Sequence, residues 1–325
     1  WMGPSGCNAI SAIRILSRPC REGPSSGNPK GVHGSMKKNV LIVGAGGVAQ
    51  VVAHKCAMNN DVLGDIHIAS RTLAKCDGIV ASIREKGSLK GQGVLETHAL
   101  DAMDSAAVAD LIRATGSQIV INVGSAFVNM SVLDACIETG AAYLDTAIHE
   151  DPAKVCETPP WYANYEWRRR QRCAEAGVTA ILGVGFDPGV VNAYARLAVD
   201  EHIPEPASID IIDINAGSHG RWFSTNFDPE INFREFTGTV WSWQDRQWTP
   251  SKMFEYRKDW NLPVVGKQTR HPARERERRV GPRERQRVHV RSFAPRPGRN
   301  KRGRNMGCSM RVRRWSNGRT FPCAS

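Results

Sequence analysis

From Asn39 to about Leu144, short apolar runs alternate with helix-length segments. Val40–Val43, Asp65–Ala69, Val94–His98, Ile119–Val123 and Ala142–Leu144 read as strands, and Gly47–Met58, Leu73–Glu85, Ser105–Ala114 and Val132–Glu138 as helices. Strands that are apolar on both faces and joined by helices predict an α/β fold, a doubly wound parallel sheet of the Rossmann kind. The pattern stops around His149–Trp161, where Pro152, Pro159 and Pro160 stiffen a loop. Beyond it, a polar helix over Tyr165–Ala176, a strand over Thr179–Leu182, a helix over Gly189–Val199 and an alternating strand over Ser208–Ile214 predict an incomplete α+β substrate domain. The expected organisation is a leader at 1–35 (non-native or disordered), a Rossmann domain at 36–150, a substrate domain at 151–266 and a tail at 267–325.

Charge changes this picture only at the end of the chain. The net charge is +12, yet Lys267–Ser325 alone carries 19 basic and 3 acidic residues. The rest is mildly acidic. The tail holds 17 Arg against two Lys, and it lacks Leu, Ile, Asp and Tyr. Such a segment buries too little apolar surface to offset chain entropy, so it is expected to be disordered. Two readings of it stand: an Arg-rich arm for nucleic acid, and translation in a shifted frame after about Gln268. The near-absence of Lys favours the second, which makes nucleic acid an unexpected partner. Residues 1–35 show no periodicity and read as upstream translation, with a transit peptide as the alternative. No run approaches the roughly 20 apolar residues of a membrane helix. Nine cysteines without a C-x-x-C pair point to a reducing, cytoplasmic setting. No Cys/His cluster has zinc spacing, so no metal is expected.

The chemistry-bearing motif is Gly44-Ala45-Gly46-Gly47-Val48-Ala49, between the first strand and first helix. It matches G-x-G-x-x-G/A: Gly44 makes the turn, Gly46 admits a pyrophosphate close to backbone, and Ala49 lets the helix pack on the strand. Gly47 and Val48 complete the phosphate-binding turn at the positive helix end. NAD enzymes place an acidic residue after the second strand, but here Ser70-Arg71-Thr72 fills that place. A hydroxyl and a guanidinium suit a 2′-phosphate, so the cofactor is expected to be NADP(H). Topology places Asp101 beside the adenine end and Asn122-Val123-Gly124 along the nicotinamide half. Of the remaining polar residues, His149, Glu150, Asp187 and His219 are candidate proton-transfer groups. Asp187 also reads as a helix cap.

Gly44–Ala49, Ser70-Arg71-Thr72, Tyr143-Leu144-Asp145-Thr146 and Phe186-Asp187-Pro188-Gly189 together resemble the saccharopine dehydrogenase family. The runs His149–Pro152, Thr158–Tyr162, Ile211–Gly220 and Asn226–Phe236 resemble its members that join an amino-acid semialdehyde to a diamine. The resemblance covers about Met36 to Gln268, and family members are considerably longer. It implies NADPH-dependent reductive condensation of aspartate β-semialdehyde with putrescine or 1,3-diaminopropane, giving carboxyspermidine or carboxynorspermidine. The expected partners are these small molecules, with a homodimer left open and no membrane. On that chemistry Glu150, Asp187, Asp228 and Glu230 are carboxylates for a cationic amine, and Arg221 or Arg234 a cation for the semialdehyde carboxylate. The alternatives are a saccharopine reductase-like enzyme taking glutamate as the amine, and a truncated, NADPH-binding but inactive product.

Overall fold

The structure, a computed structural model, describes residues 37–154, 164–186, 188–203, 206, 208–214, 228–235, 237, 239–244, 247–252, 255, 258–262, 266–270, 287–291 and 307–313. Among these, the chain divides into two compact units. The first takes in residues 37–150 and 164–184; the second takes in 151–154 and the described residues from Gly185 onward.

The first unit is a six-stranded parallel sheet with order β3-β2-β1-β4-β5-β6. Its strands are β1 (Lys38–Val43), β2 (Leu63–Ser70), β3 (Leu95–Ala99), β4 (Ser117–Asn122), β5 (Ala142–Asp145) and β6 (Ala180–Ile181). Helices α1 (Gly47–Ala57), α2 (Leu73–Glu85), α3 (Ser105–Thr115) and α4 (Asn129–Thr139) connect them. Alternate strand residues sort to opposite faces. Val40, Ile42, Ile66, Ile68 and Leu95 share one apolar cluster with Ala49, Ala53, Ile79 and Ile83 of α1 and α2. All strands run the same way, so their carboxyl ends share one edge, and the order reverses between β1 and β4. That reversal is where such sheets hold ligands. Helix α3 is bounded by sequence signals: the Asp104 carboxylate accepts the Ala106 and Ala107 N–H groups, and Gly116 closes it in a left-handed conformation.

Two expectations about this unit need correcting. The Rossmann domain does not end at residue 150: β6 pairs with β5 through Tyr143↔Ala180 and Leu144↔Ile181. The apolar run around Ala180 reads equally well as the sixth strand of this sheet or the first of another, and pairing decides it. The polar helix is two pieces, α5 (Asn164–Trp167) and α6 (Arg170–Glu175). At the break Arg169 N–H donates to Glu166 O three residues back, and the Arg169 side chain reaches both Asp134 on α4 and the Tyr165 carbonyl.

In the second unit, α7 (Val190–Leu197) runs into a wider turn over Ala198–His202, closed by Ile203 N–H donating to Ala198 O. This five-residue spacing lets Ala198 and Ile203 bury together, so the helix does not simply stop at Val199. Strand β7 (Ser208–Ile214) falls where the alternation predicted it, in a five-stranded sheet of order β13-β7-β12-β8-β9. The other members are β8 (Thr239–Gln244), β9 (Gln247–Lys252), β12 (Arg287–Arg291) and β13 (Gly307–Arg313); β10 (Lys258–Leu262) and β11 (Gly266–Arg270) form a separate antiparallel pair. A short helix α8 (Pro229–Glu235) precedes β8. Strands β12 and β13 lie inside the tail expected to be disordered. Composition misses them because each is a local alternation, Val288 and Val290 between Arg287, His289 and Arg291, and Cys308, Met310 and Val312 between polar neighbours.

Candidate functional site

The glycine turn between β1 and α1 is shaped by the neighbouring strand as much as for a ligand. Gly44 sits at φ +124°, its N–H donates to Ala69 O, and a Cβ there would lie 2.8 Å from Val123 O. Any side chain at Gly44 would collide with backbone. A Cβ on Gly46 or Gly47 would meet nothing within 4 Å, so these two face open space. Ala49 is fully buried under α1, as close helix–strand packing requires, and Val48 is exposed. Helix α1 begins with no side-chain cap at Gly46 and no acidic residue in its first turn. Its first N–H groups therefore present an uncompensated positive end. This open, uncapped cradle fits a pyrophosphate. Gly44→Ala and Gly46→Ala should accordingly separate fold from binding. The first is expected to cost about 2–4 kcal/mol of stability, as strained or overpacked positions do. The second should leave the melting temperature near that of the parent while weakening NADPH binding, read by nucleotide fluorescence titration.

At the end of β2, the Ser70 hydroxyl accepts the Thr72 N–H at 3.2 Å and also lies 3.1 Å from Thr72 O. It fixes the turn whose tip is Arg71, exposed and without an ion-pair partner among the described residues. On the next strand end, Asp101 is exposed and its carboxylate accepts the Met103 N–H. Ser70 and Leu100 are joined by a backbone bond, so Arg71 and Asp101 flank one rim. Val123 N–H donates to Val43 O, which brings Val123-Gly124 against the glycine turn. Asn122 departs from its expected place along the cofactor. Its side chain is buried, donates to Asn129 Oδ1 at 2.8 Å and accepts the Gly124 N–H at 3.1 Å. Both ends of the amide are used inside the protein, so only the backbone of Val123 and Gly124 remains to meet a ligand.

Behind Asn122 lies a buried polar cluster built on Tyr143 and Asp145, residues that the sequence marked only as part of a family-like motif and gave no role. Tyr143 O–H donates to Asp145 Oδ2 at 2.9 Å, Gly183 N–H donates to Asp145 Oδ1, and Asn129 Nδ2 donates to Ala147 O. Asp145 is 1% exposed; burial pushes its carboxyl up to about 8 against the opposing pull of the Gly183 N–H. Burial also raises the Tyr143 phenol well above its ordinary value. The available signal was a lone Asp ending an apolar strand, where the parallel-sheet rule directs attention.

His149 and Glu150 end the first unit's segment after β5, and both are buried. His149 Nδ1 lies 3.0 Å from Ala126 O. A carbonyl can only accept, so Nδ1 carries the proton and Nε2 is the basic nitrogen. The ring is held edge-on to Tyr165, and the His149 N–H donates to Glu166 Oε1 at 2.7 Å. Glu166, buried and unanticipated from sequence, thus positions the histidine backbone.

In the second unit, Asp228 caps α8 by accepting the Glu230 N–H. Arg234 does not stand as an available cation for a substrate carboxylate. It is buried, pairs with Glu230, and donates to the carbonyls of Asp151, Pro152 and Lys154 at 3.2, 2.8 and 3.1 Å. These carbonyls lie in and beside the turn at Pro152-Ala153 and have no strand partners, and one guanidinium satisfies all three. Asp187, His219 and Arg221 lie outside the described residues.

A parallel sheet of order 3-2-1-4-5-6 with an uncapped glycine turn at its reversal point defines a dinucleotide-binding Rossmann domain. Residues 40–181 match the saccharopine dehydrogenase NADP binding domain. The match extends past β5 to Ile181, the end of β6, in agreement with the corrected boundary. Over 222 residues the chain is 45% identical to carboxynorspermidine synthase of Vibrio alginolyticus, covering 67% of this chain and 54% of that protein. It is 40% identical over 227 residues to carboxyaminopropylagmatine dehydrogenase of Synechocystis, covering 70% and 54% respectively. The chain thus spans about half the length of these curated relatives. Saccharopine dehydrogenase (L-Glu forming) of Saccharomyces cerevisiae shares the fold, with a TM-score of 0.54 at 18% identity over 73% of this chain and 50% of that one. No helix among the described residues is long and apolar enough to cross a membrane.

Proposed function

We propose that this chain is the NADPH-binding portion of an enzyme that reduces the imine formed between aspartate β-semialdehyde and a diamine, in polyamine biosynthesis. The observation that carries the reading is the 45% identity to carboxynorspermidine synthase over 222 residues. NADPH would supply the hydride. Gly46, Gly47 and the amino end of α1 would hold its pyrophosphate, and Ser70 and Arg71 its 2′-phosphate. Carbinolamine dehydration needs a proton moved, and His149 Nε2 is the basic nitrogen of a ring already oriented by Ala126 and Tyr165. Glu150, Asp187 and Asp228 are the candidate carboxylates for a cationic amine, with His219 and Arg221 completing the set; Glu230 is taken up by Arg234. The similarity to an agmatine-type dehydrogenase favours a second reading, in which the amine carries a guanidinium. The test is NADPH oxidation by the full chain with aspartate β-semialdehyde and putrescine, 1,3-diaminopropane, agmatine or glutamate in parallel. Oxidation with a diamine supports the proposal, and oxidation with agmatine alone supports the second reading. Turnover with glutamate alone, or tight NADPH binding with no turnover on any pair, overturns the substrate assignment.

A further inference from the structure

Outside the cofactor rim, one cluster of metal-ligating side chains stands on the sheet face opposite α1 and α2. His67 on β2 and Glu96 and His98 on the edge strand β3 place one ligand atom each within 4.8 Å of one another. The ladder explains the convergence. Strands β2 and β3 are parallel, with His67 opposite Glu96 and Ala69 opposite His98. Glu96 and His98 are two residues apart, so both project to one face, and His67 joins them from the neighbouring strand. His67 Nδ1 lies 3.1 Å from His98 Nε2 and 3.6 Å from Glu96 Oε2.

We propose that His67, Glu96 and His98 form a binding site for a divalent transition metal of the zinc class. Three features of the cluster favour a cation over a simple hydrogen bond. First, the donor set is two imidazoles and a carboxylate, which suits Zn²⁺, Co²⁺ and Ni²⁺ and not the all-oxygen preference of Mg²⁺ or Ca²⁺. Second, the spacing is close to that of a coordination shell: metal–ligand bonds of about 2.0–2.1 Å at tetrahedral angles put donor atoms about 3.3–3.4 Å apart. The two distances from His67 Nδ1, 3.1 and 3.6 Å, bracket that value, and all three ligand atoms lie within 4.8 Å of one another. Third, His67 is buried and its Nδ1 faces both other ligand atoms at once, His98 Nε2 and Glu96 Oε2, so the three donors converge on one point. The two rings are tilted by 43°, so they are not stacked on each other. Glu96 is about half exposed, which gives an ion a path in and leaves room for water as a further ligand.

The expectation of no metal rested on local sequence spacing, whereas these histidines are 31 residues apart and meet only through strand pairing. The site is separate from the proposed reaction. Ala69, opposite His98, directly precedes Ser70, so a bound ion would tie the edge strand to the strand that carries the cofactor-selecting turn.

The experiment uses the full chain, untagged and freed of metal with a chelator, titrated with Co²⁺ and followed by visible absorption. The expected result is a saturable one-equivalent signal without a thiolate charge-transfer band, displaced by Zn²⁺ and not by Mg²⁺. His98→Gln should weaken Co²⁺ binding by at least the ~10–100-fold typical of losing even an outer-shell partner. Glu96→Gln should weaken it in the same direction. Both residues lie on an edge strand outside the cofactor machinery, so the circular dichroism and NADPH affinity of both variants should match the parent. In the parent alone, the melting temperature should climb with Zn²⁺ concentration. A thiolate band, binding unchanged in both variants, or no saturation up to about millimolar Co²⁺ overturns the site.

Discussion

Replacing Arg71 with Ala should weaken NADPH binding by roughly 10- to 100-fold while leaving NADH binding within a few-fold of the parent. The residue is exposed at the tip of a turn that Ser70 Oγ holds through Thr72, so removing it breaks no internal bond seen among the described residues. What would be lost is a charge-assisted contact to a phosphate present only on NADPH, and such contacts contribute about 1.5–3 kcal/mol. Arg71→Asp should go further and reverse the preference, because a carboxylate repels the 2′-phosphate and accepts from a ribose hydroxyl. Parallel fluorescence titrations with the two nucleotides decide the matter. Equal losses for both would mean that Arg71 shapes the turn and does not read the phosphate.

The second large effect is expected at Asp145, and it acts on stability. In Asp145→Ala, the Tyr143 hydroxyl and the Gly183 N–H lose their acceptor inside the protein. Each orphaned buried group costs about 1–3 kcal/mol, so a loss of about 2–6 kcal/mol should appear in urea unfolding. The native carboxyl adds a pH dependence whose sign is the reverse of a salt-bridged aspartate. Its folded value, about 8, stands above the ordinary 3.8, so between the two the folded protein holds the proton more tightly than the unfolded chain. This group's contribution to stability is therefore fully present below about pH 4, declines as pH rises toward 8, and is flat beyond. Asp145→Asn keeps the shape but cannot titrate, so its unfolding curves at about pH 5 and about pH 8 should lie closer together than those of the parent. An equal separation in both proteins would assign the dependence to other groups.

The Rossmann half was legible because its signals are local. Apolar strands, the glycine turn and the Ser70-Arg71-Thr72 turn each occupy a few adjacent residues. The helix over Leu73–Glu85 appears with the bounds the periodicity indicated. Features that depend on pairing across the sheet were hidden. Nothing in the sequence near Ala180 says which sheet it joins, and Asn122 reads the same whether its amide meets a cofactor or Asn129. Arg234 shows the limit most clearly. It reads in sequence as a cation for a substrate carboxylate, but the carbonyls of Asp151, Pro152 and Lys154 that it meets lie about 80 residues away. Only folding reveals them as its partners. The cofactor, by contrast, was readable from Ser70-Arg71, since a missing acidic residue after the second strand is itself a local mark.

The two-residue length of β6 has a practical consequence for dissecting the protein. Cut after Glu150, the sheet would end at β5, and the backbone groups of Tyr143 and Leu144 that now pair with Ala180 and Ile181 would be left as an open, apolar border. Such borders recruit strands from other molecules, so a fragment trimmed there should aggregate. A fragment carried through Val184 retains a stub too short to template another strand, and it is the shorter piece worth expressing for crystallisation with nucleotide.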